Sequence, residues 1–70
     1  MRMQELWRDH VTGQVWAIEL RDGLVTGCFG PLEHADVNPE MLHRYDYSGD
    51  HAEWVEQHRD RFDLYNAVGV

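Results

Sequence analysis

The sequence predicts an α+β domain: an antiparallel β-meander of three strands, a loop, one amphipathic helix packed on the sheet, and a short C-terminal strand. Three observations carry this expectation. Residues 14–20 place Trp16, Ile18 and Leu20 on one face and Val15, Ala17 and Glu19 on the other, and run into Asp22-Gly23, a strong two-residue hairpin signal. Between Asp50 and Phe62, Trp54, Val55, His58 and Phe62 recur at helical spacing. Residues 62–68 then alternate as a closing strand.

The meander occupies residues 1–30. A type I′ turn at Asp22-Gly23 needs positive φ at both positions and fixes the second hairpin. Arg21 then faces Leu24, Leu20 faces Val25, Ile18 faces Gly27 and Trp16 faces Phe29, so Trp16, Ile18, Leu20, Val25 and Phe29 share one apolar face. Gly27 leaves room there for another element to approach closely. The first strand, Met3 to Asp9, joins the second through His10-Val11-Thr12-Gly13, with Asp9 facing Gln14, Trp7 facing Trp16 and Met3 facing Leu20. A one-residue slip would exchange Trp7 for Leu6. Gly30-Pro31 ends the third strand, because proline supplies no ladder donor.

Residues 31–49 form a loop with a short helical turn whose start is marked by Asn38 as N-cap, Pro39 at the first position and Glu40 behind it. The helix covers residues 50–62, capped by Asp50 with Glu53 three residues on. Its Trp54/Phe62 face is expected on the Trp16/Ile18/Leu20 side of the sheet. Neither repeat nor linker interrupts the chain, so residues 1–70 read as one domain.

Seventy residues set a narrow energetic margin. At ~25 cal/mol/Å², the apolar part of about 7,400 Å² of buried surface stabilises by on the order of 110 kcal/mol. Ordering the chain costs on the order of 105 kcal/mol. Such a chain is expected to be marginal alone, which is a reason to look for a partner.

Six Arg, no Lys and thirteen acids leave a net charge of −7. The distribution is uneven: residues 1–32 carry −1 and residues 33–70 carry −6. This balance repels nucleic acid and anionic membrane, and admits a basic protein. The longest apolar run is Val15-Trp16-Ala17-Ile18, far short of the ~20 residues of a membrane span. With a single cysteine, Cys28, and no apolar leader, the expected location is the cytoplasm.

No residue pattern points to catalysis or a cofactor. The five histidines lack a metal-ligand spacing, and His51 and His58 stand about 10 Å apart along a helix. A loop site from His34, Asp36 and His43 is the one arrangement the sequence leaves open for a small metal-binding protein. Glu53, Glu56 and Asp60 share the outer helix face, expected to be solvated and available to a basic partner. Cys28 is expected on the sheet face behind Trp16, beside Ala17, as a small half-buried thiol. With Val15 and Leu24 these residues make the back of the sheet rather apolar, and one helix covers only one face. Val15, Ala17, Leu24 and Cys28, with Glu53, Glu56 and Asp60, are therefore the candidate interaction surface. The expectation is a non-catalytic accessory or interaction module that self-associates, a homo-oligomer. The alternative is an acidic inhibitor that mimics nucleic acid on a basic protein.

Overall fold

The computed structural model describes residues 1–33 and 37–65. The strands are β1 (Arg2–Asp9), β2 (Val15–Arg21), β3 (Leu24–Leu32) and β4 (Phe62–Leu64). They form one antiparallel sheet in the order β3-β2-β1-β4. A 3₁₀ helix spans Pro39–Arg44, helix α1 spans Ala52–Gln57, and a second 3₁₀ turn spans Arg59–Arg61. The α+β class, the meander and the closing strand are those expected. Part of the expected closing strand, residues 66–68, lies outside the described residues.

The β1–β2 register is the expected one, with Trp7 opposite Trp16 and Met3 opposite Leu20, and no slip toward Leu6. Asp9 donates its N–H to the Gln14 carbonyl at 2.8 Å to close the first turn. The second turn places Asp22 at φ 53° and Gly23 at φ 85°, the left-handed pair that a type I′ turn requires.

Beyond Leu20–Val25 the β2–β3 register departs from expectation. Glu19 faces Gly27, Ile18 faces Cys28 and Ala17 faces Phe29, because an extra residue bulges from β3 between Val25 and Gly27. A bulge shifts the alternation by one, so Gly27, Cys28 and Phe29 change face, until a second irregularity between Ala17 and Val15 sets Leu32 opposite Val15. Phe29 leaves the helix side and stacks on Tyr45 at 5.0 Å and 11°. Cys28 takes the inward place beside Ile18, Ala52 and Val55, where helix α1 lies close and a phenyl ring would be oversized. Strand β3 also continues through Pro31 to Leu32 instead of ending at Gly30-Pro31. It is an edge strand, where a missing N–H costs no interior ladder bond.

Helix α1 is shorter than residues 50–62. It starts after His51, with Asp50 outside and no side-chain cap bond, and stops at Gln57. The 3₁₀ turn then swings the chain back so that Phe62 can pair with Asp9 in β4. The Asn38 cap is formed as expected, its side chain accepting the Glu40 N–H at 3.0 Å.

Two clusters fill the two faces of the sheet. Trp7, Ile18, Leu20, Val25, Cys28, Ala52, Val55 and Phe62 form the helix-side core, with Trp16 packed against it. Leu6, Val15 and Ala17 form the second, under Leu32, Val37, Leu42, Tyr45, Tyr47 and Tyr65.

Candidate interaction surface

The back of the sheet is closed by the chain itself. Ala17 is 0% exposed and Val15 is buried, both under the 37–47 segment. That segment is held by the Tyr47 hydroxyl, which donates to the Leu42 carbonyl at 2.6 Å. It is held again by reciprocal backbone hydrogen bonds between Cys28 and Ser48, of 2.9 and 3.0 Å. Burial, then the nearby Glu19 and Tyr45, push the Tyr47 phenol up to about 12. Gly27 supplies the close approach expected of it, but opposite Glu19: a Cβ there would meet Tyr47 Cβ at 3.0 Å.

The surface assembled from the sequence therefore separates. Val15 and Ala17 are interior, and Cys28, 4% exposed, belongs to the opposite cluster. Burial pushes the Cys28 thiol up, against a smaller opposing effect of the His51 backbone N–H. Leu24, at 59% exposed, stays outside beside the hairpin turn.

The helix acids separate too. Glu53 and Asp60 are exposed, whereas Glu56 is half-buried and works inside the fold. Its carboxylate accepts the Val25 N–H at 2.9 Å and pairs with Arg59 at 3.3 Å. Arg59 in turn donates to the Gly23 carbonyl at 2.9 Å, tying the helix end to the hairpin turn. A solvated face of three acids is thus reduced to Glu53 and Asp60, with Asp50 ahead of the helix.

Comparison of the chain with protein-family models, curated proteins and solved structures gives no match.

The histidines take separate places. His10 faces Asp63 at 3.2 Å, His58 stacks on Trp54 at 4.2 Å and 18°, and His51 meets the edge of Trp16 at 6.3 Å. His34 and Asp36 lie outside the described residues, and among the described residues no three His, Cys, Asp or Glu gather as a metal site would require. No helix among the described residues is long and apolar enough to cross a membrane.

One feature was not anticipated. Trp16, His51, Trp54, Val55 and Phe62 line an open cleft of about 340 Å³ between α1 and the sheet. Trp54, expected to face the core, is 43% exposed at its rim. The early end of α1 opens the cleft, since a helix continuing to Phe62 would carry that ring on its own inner face. Trp16 lies 35 positions before His51, and the helical period of Trp54 and Phe62 points them to the core, so the sequence carries no local signal for the cleft.

Proposed function

We propose that this chain is a non-catalytic, cytoplasmic interaction module that binds a basic protein on its α1 side. The observation that carries the reading is charge left without a counter-ion. Asp50, Glu53 and Asp60 form no ion pair among the described residues, while the neighbouring cations are engaged, Arg59 by Glu56 and Arg61 by Asp9. Exposed carboxylates of this kind steer a basic partner and set its orientation more than they tighten the complex. Their effect is screened by salt. Covering a basic nucleic-acid-binding site is one use of such a module. Self-association through the back of the sheet drops out of the proposal, because Val15 and Ala17 lie under Tyr45 and Tyr47.

Titration of the chain with an arginine-rich peptide and a glutamate-rich peptide of equal length, at low and physiological salt, tests the proposal. Binding to the basic peptide that weakens several-fold with salt is the expected result. Binding that ignores salt, equal binding of the acidic peptide, or none at all would overturn it.

A further inference from the structure

We draw no further inference here: the strongest candidate, the open apolar cleft between α1 and the sheet lined by Trp16, His51, Trp54, Val55 and Phe62, carries nothing, because the chain's own Arg61 and His58 already lie against Trp54 and nothing in the structure shows what covers the rest.

Discussion

The carboxylate of Asp9, 4% exposed at the end of β1, joins residues 52 positions apart. It accepts from Arg61 Nη2 at 2.8 Å and Nε at 3.3 Å, and from the Val11 and Thr12 N–H groups at 2.8 and 3.4 Å. Burial alone would push this carboxyl up. The Arg61 hydrogen bonds, the two backbone donors and the Arg61 charge outweigh burial and hold it below its ordinary value of 3.8. A carboxyl whose folded-state pKa is depressed contributes stability that is fully present above the unfolded value and lost as pH falls through the folded one. Asp9→Asn keeps an acceptor for Val11 and removes the charge, so at neutral pH it is expected to cost about 1–3 kcal/mol. Urea midpoints of wild type and variant should differ most above about pH 5 and converge as the medium is acidified below 3.8. A gap that stays constant through that range would show that the Asp9 charge contributes nothing to the fold.

Strand β3 shows the scale at which the chain is decided by elements and not by single residues. Its bulge hands the inward place to Cys28 and sends Phe29 to Tyr45, and the 37–47 segment then lies against Gly27 closely enough that a Cβ would meet Tyr47 at 3.0 Å. Gly27→Ala forces that contact apart and is expected to destabilise by about 1–3 kcal/mol, lowering the melting temperature by roughly 5 °C or more. A melting curve superposable on the wild type would mean that the segment yields freely. What could be read from the amino acids follows the same division. Asp22-Gly23 fixes its turn locally, and the equal lengths flanking residues 10–13 fix Trp7 against Trp16, so both hairpins were legible. The bulge was not, since Thr26-Gly27-Cys28-Phe29 continues a plain alternation. The end of α1 was hidden because Phe62 fits a helical period and a strand equally, and its pairing with Asp9 lies far away in sequence. The aromatic cleft stayed hidden for that reason: periodicity turns Trp54 inward, and only the early end of α1 leaves it at the rim. The back-face lid uses Val37, Leu42, Tyr45 and Tyr47, whose irregular spacing carries no periodic signal.

At the scale of the whole molecule, seventy residues and a near-cancellation of burial against ordering made a partner the expected source of stability. Within the chain, helix α1 covers one face of the sheet and the 37–47 segment covers the other. The large apolar side chains left outside are spread over several elements: Met1 and Leu24 beside the Asp22-Gly23 turn, Met3 on β1, Val11 in the first turn, Phe29 on β3, Leu64 on β4 and Trp54 at the cleft. A stable interface between copies needs on the order of 1,000 Å² of well-packed contact. Dispersed side chains do not supply it, and a net charge of −7 on each copy opposes their approach. Sedimentation equilibrium at micromolar concentration is therefore expected to return the 8.3 kDa mass of one chain, with no rise as concentration increases. Added salt screens the repulsion without creating an apolar surface, so the monomer mass should persist at high ionic strength. A mass that doubles only at high salt would instead show that charge alone keeps the copies apart. A dimer already present at low salt would place a self-association surface outside the covered back of the sheet.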